Sequence, residues 1–321
     1  MLTFEHIRDA AHRLTGFAHR TPVMTCQTID ALAGCKVFFK CEHFQKVGAF
    51  KFRGAFNAVT QLSDEHAARG VVTHSSGNHA QALALAAKMH GIPAFIVMPR
   101  TSSPVKRAAV EGYGAEVVLC EPNQQAREST AAEIEARTGA TFIHPYNNLD
   151  VMAGQGTALL ELDEQARELG TTLDAVIAPV GGGGLLSGTC IAAKGLRTSF
   201  RVFAGEPTGA DDAARSFAAG SLIPQTGPNT IADGLLTSLG DRTWPIIRDN
   251  VEAIITVSDE QITQAMQLIW ERAKLLIEPS SAVVLAAILD PRFQQFKGIA
   301  SIGAILSGGN VSLNHLPFGK S

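Results

Sequence analysis

Short runs of β-branched and other apolar residues alternate with longer helical patterns along most of this 321-residue chain. The runs typical of strands are residues 37–39, 70–74, 94–99, 116–120, 141–144, 175–180, 201–206, 253–257 and 303–308. Apolar strands that are separated by helices predict parallel sheets with helices on both faces. The sequence therefore predicts the α/β fold class, in one large or two medium-sized domains.

Composition excludes several classes of function. A net charge of −3 and a pI of about 6.4 give no basic surface for nucleic acid. The longest apolar stretches, such as 282–289, are too short to cross a bilayer, and the first residues lack the features of a signal peptide. The five cysteines are scattered without a C-x-x-C motif, which indicates reduced thiols. We expect a cytoplasmic protein that binds neither nucleic acid nor membranes.

The stretch "APVGGGGLLSG" (178–188) places four glycines between a predicted strand and a helix that begins near Leu185. These glycines are Gly181, Gly182, Gly183 and Gly184. Successive backbone N–H groups without side chains, at the N-terminus of a helix, form a binding site for a phosphate. The loop is neither a dinucleotide-binding G-x-G-x-x-G motif nor a Walker loop. The alternative is a tight strand–helix turn, for which four glycines are more than needed.

A second loop, "THSSGNHAQAL" (73–83), also joins a strand to a helix. Its hydroxyl, amide and imidazole groups belong to Ser75, Ser76, Asn78 and His79. Backbone N–H groups and hydroxyls at a helix N-terminus can bind a carboxylate. The alternative is an ordinary helix cap with His79 on the surface.

Lys51 lies among apolar residues in "GAFKFRGA" (48–55). An amine in an apolar pocket has a lowered pKa and can form a Schiff base, whereas the alternative is a lysine whose ammonium reaches solvent. Together, the amine, the phosphate loop and the carboxylate loop favour pyridoxal 5′-phosphate as cofactor. Ser307 in "AILSGGN" could face the pyridine nitrogen. A neutral hydroxyl there would favour β-elimination over transamination.

The motifs "GAFKFRGA", "SSGNHAQ", "GGGG", "EPSSA" and "SGGN", in that order, resemble the β-family of pyridoxal-phosphate enzymes. This family has the tryptophan synthase β-like fold, also called fold-type II. More narrowly, the chain resembles the group of serine/threonine dehydratases, serine racemases and threo-3-hydroxyaspartate dehydratases, from about residue 17 to 313. The resemblance implies two open parallel-sheet α/β domains. A small mobile domain (68–146) would be inserted in a large cofactor-binding domain (1–67 and 147–321), and the protein would be a homodimer.

The resemblance also implies roles for single residues. Lys51 would bind the cofactor covalently and move the Cα proton, and Phe50 would pack near the ring. Asn78 would contact the phenolic oxygen, Ser307 the pyridine nitrogen, and the four glycines the phosphate. Ser75, Ser76, Asn78 and His79 would close on the substrate carboxylate. In racemases, the position of Ser76 is the acid–base group on the opposite face.

A metal site is implied within "GEPTGADD", which begins at Gly205. The carboxylates of Glu206 and Asp212 and the carbonyl oxygen of Ala210 would bind Mg²⁺, with Ca²⁺ or Mn²⁺ as alternatives. Such hard oxygen ligands suit these ions. The alternative is a pair of acidic residues placed favourably at a helix N-terminus.

The function implied is that of an ammonia-lyase that removes water from L-threonine, L-serine or threo-3-hydroxyaspartate. Two alternatives stay open: a serine racemase with elimination as a side reaction, and a non-catalytic phosphate-binding regulator. Tyr146 and Thr237 differ from the residues of animal racemases, and we expect them to line the substrate pocket. A second substrate carboxylate would need a cation, for which Arg127, His79 and His144 are candidates. With 321 residues, we expect no isoleucine-binding regulatory domain.

Overall fold

The computed structural model describes residues 1–197, 199–314 and 316–318. Its α-helices are α1 (Phe4–Leu14), α2 (Gln27–Ala33), α3 (Lys51–Thr60), α4 (Asp64–Arg69), α5 (Asn78–His90), α6 (Pro104–Gly112), α7 (Gln124–Thr138), α8 (Leu149–Glu168), α9 (Gly184–Leu196), α10 (Asp212–Ala219), α11 (Trp244–Asn250), α12 (Asp259–Leu268) and α13 (Pro279–Leu289). Its strands are β1 (Val23–Met24), β2 (Lys36–Cys41), β3 (Val71–His74), β4 (Ala94–Pro99), β5 (Glu116–Cys120), β6 (Thr141–Phe142), β7 (Ala175–Pro179), β8 (Arg201–Pro207), β9 (Ala253–Val257) and β10 (Ser301–Leu306).

The strands form two sheets. The first has the order β1-β2-β10-β7-β8-β9, and the second has the order β5-β4-β3-β6. All pairs are parallel except β1 with β2, so the predicted α/β class with parallel sheets is confirmed. The antiparallel edge strand β1 was not predicted, because two residues are too few to show a periodic pattern.

Helices cover both faces of the first sheet, because its strands are apolar on both sides. One core cluster joins β2, β7 and β10 to α13, whose residues from Ser280 to Ile288 are all buried. A second cluster joins the opposite face to α8 and α9. Each large aliphatic side chain in these clusters contributes about 1.5–3 kcal/mol relative to an exposed one. Within the described part of the chain, no helix has both the length and the apolar character that crossing a membrane requires.

The carboxyl ends of the parallel strands position the functional loops. The loop that leads to α3 follows β2, and the loop that begins α5 follows β3. The glycine loop follows β7, and Ser307 follows β10. In open α/β sheets, ligands bind at this edge. The second sheet uses only strands between 71 and 142, inside the span predicted for the small domain, while the domain boundaries themselves stay a prediction.

Candidate active site

A cavity of about 280 Å³ lies where loops from the two sheets meet. Apart from His144, the residues predicted to contact cofactor or substrate line it, namely Phe50, Lys51, Ser75, Ser76, Asn78, His79, Arg127, Tyr146, Gly181, Gly182, Gly183, Gly184, Thr237 and Ser307. Small-molecule sites are typically concave, with a few convergent polar groups. The structure thus brings the predicted residues together, while the role of each residue stays a prediction.

Lys51 is the first residue of α3, and its amine faces this cavity. Its Nζ donates a hydrogen bond to the carbonyl oxygen of Pro145 at 2.9 Å and lies 5.1 Å from the centre of the Phe50 ring. Burial lowers the pKa of Lys51 to about 8, although the Glu278 carboxylate opposes this shift. Much of the amine is therefore neutral near pH 8, as a nucleophile requires.

Ser307 is fixed beside the loop that carries Lys51. The N–H of Phe50 donates to the carbonyl oxygen of Ser307 at 3.0 Å, so the two loops are joined by a backbone hydrogen bond. The Ser307 hydroxyl lies 3.1 Å from the Ser281 hydroxyl, which itself donates to the Gly308 carbonyl at 2.6 Å. This chain of contacts holds a neutral hydroxyl at the cavity wall, as a partner for a pyridine nitrogen would need.

The glycine loop has no room for side chains, because Tyr146 packs closely against it. A Cβ on Gly182 would lie 2.3 Å from the Tyr146 ring, and one on Gly184 would lie 2.9 Å from the Tyr146 backbone. Gly183 has a φ of +87°, in the left-handed region. Burial raises the pKa of Tyr146 to about 12, and its hydroxyl bonds to Thr237. The bare N–H groups at the start of α9 fit a phosphate.

His79, which follows the loop before α5, is buried, whereas one of the two interpretations of the sequence placed it on the surface. Ser75 Oγ accepts from the N–H of Gly77 at 3.3 Å, and α5 begins at Asn78. His79 is 2% exposed, so the alternative of a surface histidine was wrong. Its Nε2 lies 3.2 Å from the Ile143 carbonyl oxygen, and its Nδ1 has no partner in the described structure.

The three candidate cations differ in charge. Burial lowers the pKa of His79 well below its usual value and that of His144 to about 4, so both rings are neutral at pH 7. The His144 ring also accepts hydrogen bonds from two backbone N–H groups, at 3.0 and 3.3 Å. Arg127 lines the cavity, its Nε is buried without a partner, and no ion pair involves it within the described residues. Of the three, only Arg127 offers a positive charge.

The predicted metal ligands are buried carboxylates. Glu206 accepts from the N–H groups of Ala213 and Ala214 at 2.9 and 2.8 Å, so it also caps α10, as the alternative interpretation required. Asp212 Oδ2 accepts from the Leu239 N–H at 2.9 Å, and its Oδ1 is buried without a partner in the described structure. Burial raises the pKa of Glu206 to about 8 and that of Asp212 to about 6.

This donor set suits a hard divalent cation, because a cation would offset buried negative charge and occupy the free oxygen of Asp212. The predicted set has only two carboxylates, with the Ala210 carbonyl as third ligand. Among the described residues, no group of three or more His, Cys, Asp or Glu side chains could hold a metal ion. The metal site therefore stays a prediction that the geometry favours.

Sequence reasoning missed several residues of the cavity wall. Glu278 is 4% exposed and contacts Asn78. It is the first residue of the motif "EPSSA", which indicated the family but no role for this carboxylate. Lys106, on α6, forms an ion pair of 2.9 Å with Asp233, which precedes Gly234 on the other side of the cavity. An acidic residue before a proline-initiated helix is ordinarily an exposed cap, so no local signal indicated the burial of Glu278.

A larger groove of about 820 Å³ lies elsewhere, along α1 and α8. The charged groups that line it are already paired. Arg20 contacts two glutamates at 3.1 and 2.7 Å, and Asp163 contacts two arginines at 2.7 Å each. Because the charged side chains described along this groove are in ion pairs, the smaller cavity around Lys51 is the better candidate active site.

Comparisons with known proteins identify the family of this chain. Residues 14–308 match the family described as "Pyridoxal-phosphate dependent enzyme". The serine racemase of Dictyostelium discoideum is 50% identical over 98% of this chain and 97% of its own length. The beta-hydroxyaspartate dehydratase of Paracoccus denitrificans is 49% identical over 98% of both chains. The structure of maize serine racemase has a TM-score of 0.95 at 48% identity, covering 98% of this chain and 95% of that chain.

The fold and cavity together define a fold-type II enzyme. The chain belongs to the family of pyridoxal-phosphate-dependent enzymes. The predicted cofactor is thereby confirmed at the level of the family, and the alternative of a non-catalytic phosphate-binding regulator is set aside.

Proposed function

We propose that the protein is an ammonia-lyase of the dehydratase type, which removes water from a β-hydroxy amino acid to give a 2-oxo acid and ammonia. The observation that carries this proposal is the convergence of the Lys51 amine, the glycine loop and the Ser307 hydroxyl on one cavity. Pyridoxal phosphate supplies an electron sink for the charge that develops at Cα. The neutral Ser307 hydroxyl suits elimination of a β-leaving group.

The chain's own residues would bind and move protons as follows. Ser75, Ser76 and the N-terminus of α5 hold the substrate carboxylate, and the neutral Lys51 amine accepts the Cα proton. The β-hydroxyl would take up a proton, which the protonated Lys51 amine can supply, and leave as water. The unsaturated amine that is released would hydrolyse to the 2-oxo acid and ammonia. Phe50 would pack against the cofactor ring, and the N–H groups of the glycine loop would bind its phosphate.

We further propose threo-3-hydroxyaspartate as the preferred substrate. Its second carboxylate would pair with Arg127, the cavity cation that has no partner in the described structure. Tyr146 and Thr237, which are linked by a hydrogen bond, would line the same part of the pocket. The similarity to a protein named beta-hydroxyaspartate dehydratase supports this choice.

The direct test is to assay the purified holoprotein with L-serine, L-threonine and the diastereomers of 3-hydroxyaspartate, measuring 2-oxo acid and ammonia. The proposal requires stoichiometric formation of both products from at least one substrate. If no substrate yields a 2-oxo acid, the dehydratase assignment is wrong.

Replacing Arg127 with glutamine should lower kcat/KM for threo-3-hydroxyaspartate by roughly 10- to 100-fold, because a charge-assisted hydrogen bond contributes about 1.5–3 kcal/mol. For L-serine, which has no second carboxylate, the change should stay below about threefold. Steady-state kinetics with both substrates measure this difference. Arg100→Gln is the control, because Arg100 is exposed and pairs with Glu121 away from the cavity. Equal losses for the two substrates would contradict the assignment.

Serine racemase is a second candidate function. Ser76 lines the same cavity as Lys51, so a hydroxyl is available to return a proton to Cα, and relatives named serine racemase are similar over nearly the whole chain. Formation of D-serine from L-serine, measured by chiral chromatography in the same assays, distinguishes the two. A rate of D-serine formation above that of pyruvate formation would favour the racemase.

We also infer a divalent cation, Mg²⁺ in preference to Ca²⁺ or Mn²⁺, at Glu206, Asp212 and the Ala210 carbonyl. Mg²⁺ at a hundredfold excess over its Kd should raise the free energy of unfolding by about 2.7 kcal/mol. Thermal unfolding with Mg²⁺ or with a chelator measures this increase, which Asp212→Asn should abolish. Asp211→Asn is the matched control, because the neighbouring Asp211 pairs with Arg215. An unchanged melting temperature on adding each of the three cations would refute the site.

The number of subunits, the location in the cell and the mobile domain are inferred from the family. We infer a homodimer in the cytoplasm with a small mobile domain at 68–146, as the resemblance to the family implies. Such an assembly could cover exposed apolar side chains such as Phe44, which is 50% exposed, and Leu276, which is 47% exposed.

A further inference from the structure

We propose that Glu278 is a positioning residue that fixes the side-chain amide of Asn78, so that an N–H of this amide points to the phenolic oxygen of the cofactor. This inference rests on the proposed cofactor site and adds a residue to it. Glu278 lies between three segments that are far apart in the sequence, and it lines the same cavity as Lys51.

The Glu278 carboxylate joins α5, α13 and the segment after β10. It accepts hydrogen bonds from Asn78 Nδ2, at 3.0 Å through Oε1 and 3.3 Å through Oε2. It also accepts from the backbone N–H of Asn310 at 3.0 Å. The side chain of Asn310 completes the cluster, because its Nδ2 donates to Asn78 Oδ1 at 2.8 Å and to the Val47 carbonyl at 2.8 Å.

These contacts allow only one orientation of the Asn78 amide. The Val47 carbonyl can only accept, so the Asn310 side chain must present its NH₂ group there, and this group then donates to Asn78 Oδ1. An ionised carboxylate can also only accept, so Asn78 must present its NH₂ group to Glu278. One N–H of this group is used by Glu278. The second N–H remains for an acceptor in the cavity, such as an ionised phenolic oxygen.

Charges around Glu278 come from several elements. The pKa of Glu278 is raised to about 7, because burial and Asp233 raise it more than the Asn78 and Asn310 hydrogen bonds and Lys106 lower it. Lys51 also faces the carboxylate, and Glu278 raises the Lys51 pKa in return. The donors from Asn78 and Asn310 therefore favour the ionised form of Glu278, which is the form that accepts hydrogen bonds through both oxygens.

A glutamine at position 278 should disrupt this order. The backbone N–H of Asn310 cannot reverse, so the glutamine oxygen would turn toward it and the glutamine NH₂ would face Asn78. Two donors would then oppose each other, unless the Asn78 amide flips and presents its oxygen to the cavity. In either case the cofactor's ionised phenolic oxygen loses a well-placed donor.

The test is the absorption spectrum and cofactor affinity of the purified holoprotein. In Glu278→Gln, the long-wavelength band of the ionised phenolic form should lose intensity to the short-wavelength band of the neutral form. The cofactor dissociation constant should rise by about 3- to 10-fold, which corresponds to one hydrogen bond. Glu271→Gln is the matched control, since Glu271 is exposed, accepts from Gln267 and is not among the residues lining the cavity. It should leave the ratio of the two bands near that of the wild type.

A double-mutant cycle separates positioning from a general structural role. If Glu278 acts through Asn78, Glu278→Gln should change neither the band ratio nor the cofactor affinity once Asn78 is alanine. Additive effects on the two readouts, or a wild-type spectrum in Glu278→Gln, would overturn the inference. Absence of any cofactor band in the wild-type protein would instead refute the proposed function. Melting of the apoproteins shows whether each variant folds, and Glu278→Asp, which keeps the acceptor, should recover part of the long-wavelength band.

Discussion

Replacing Lys51 with alanine should lower the rate of 2-oxo acid formation by at least about a thousandfold, since one positioned proton-transfer group alone contributes about 10²–10⁴-fold. The amine lines the cavity beside Phe50, and burial lowers its pKa to about 8. Without it, the chain loses both the covalent attachment of the cofactor and the proposed acceptor of the Cα proton. The assay is product formation by the variant after reconstitution with pyridoxal phosphate.

The spectrum of the same variant gives a second readout. Wild-type protein should show a near-visible band that borohydride bleaches, with the label on the peptide that contains Lys51, whereas Lys51→Ala should show neither. Lys46→Ala is the matched control, because Lys46 lies in the same loop but is not among the residues lining the cavity. Labelling of a different lysine, with activity retained in Lys51→Ala, would overturn the assignment.

The pKa of Lys51 also predicts how attachment depends on pH. Only the neutral amine is nucleophilic, and the neutral fraction of a group with a pKa of about 8 rises as pH increases through 8. The rate at which apoprotein binds the cofactor covalently should therefore rise between about pH 7 and 9. An ordinary exposed lysine would show its rise near pH 10.4.

The parts of the site that could be predicted are those with a local signal. Four successive glycines have few explanations in a folded chain, and a lysine among phenylalanines is unusual wherever it occurs. The serines and the asparagine of the loop before α5 are typical of a helix N-terminus, so the loop's composition alone predicts one. These motifs follow strand ends, where ligands bind in open α/β sheets, and together they resemble one enzyme family, so a shared cavity could be expected.

The parts that could not be predicted depend on contacts between distant residues. Asn78 and Glu278 are 200 positions apart, and Lys106 and Asp233 are 127 positions apart. No periodicity or motif reports such a pairing. The burial of His79 is another case, because its ring is enclosed by Ile143 and other residues beyond its own helix. The close approach of Tyr146 to Gly182 likewise gives the glycines a packing role that their sequence does not reveal.

Arg53 shows most clearly how a distant network can support the site. It lies one residue beyond Phe52 on α3, the helix that begins with Lys51, and its side chain is fully buried. Its guanidinium donates to both oxygens of Glu42, each at 2.8 Å, and to both oxygens of Glu161, each at 2.7 Å. Lys40 donates to Glu161 as well, at 2.7 Å. Burial by itself raises the pKa of Glu42, but Arg53 and Lys40 hold it below its usual value.

Replacing Arg53 with methionine should therefore lower the free energy of unfolding by about 3–5 kcal/mol at pH 7, because it leaves buried carboxylates with only Lys40 as a cation. The control is Arg20→Gln, which also removes two ion pairs with glutamates of α8, but exposed ones, and should cost only about 0–1 kcal/mol. Urea unfolding of the apoproteins measures both changes.

Glu42 has a depressed pKa in the wild type, so its contribution to the free energy of unfolding is present above the unfolded-state pKa and is lost as pH falls. The difference between wild type and Arg53→Met should accordingly shrink as pH is lowered below about 4.3, the ordinary pKa of glutamate. A loss no larger than that of Arg20→Gln would show that the network does not stabilise the fold.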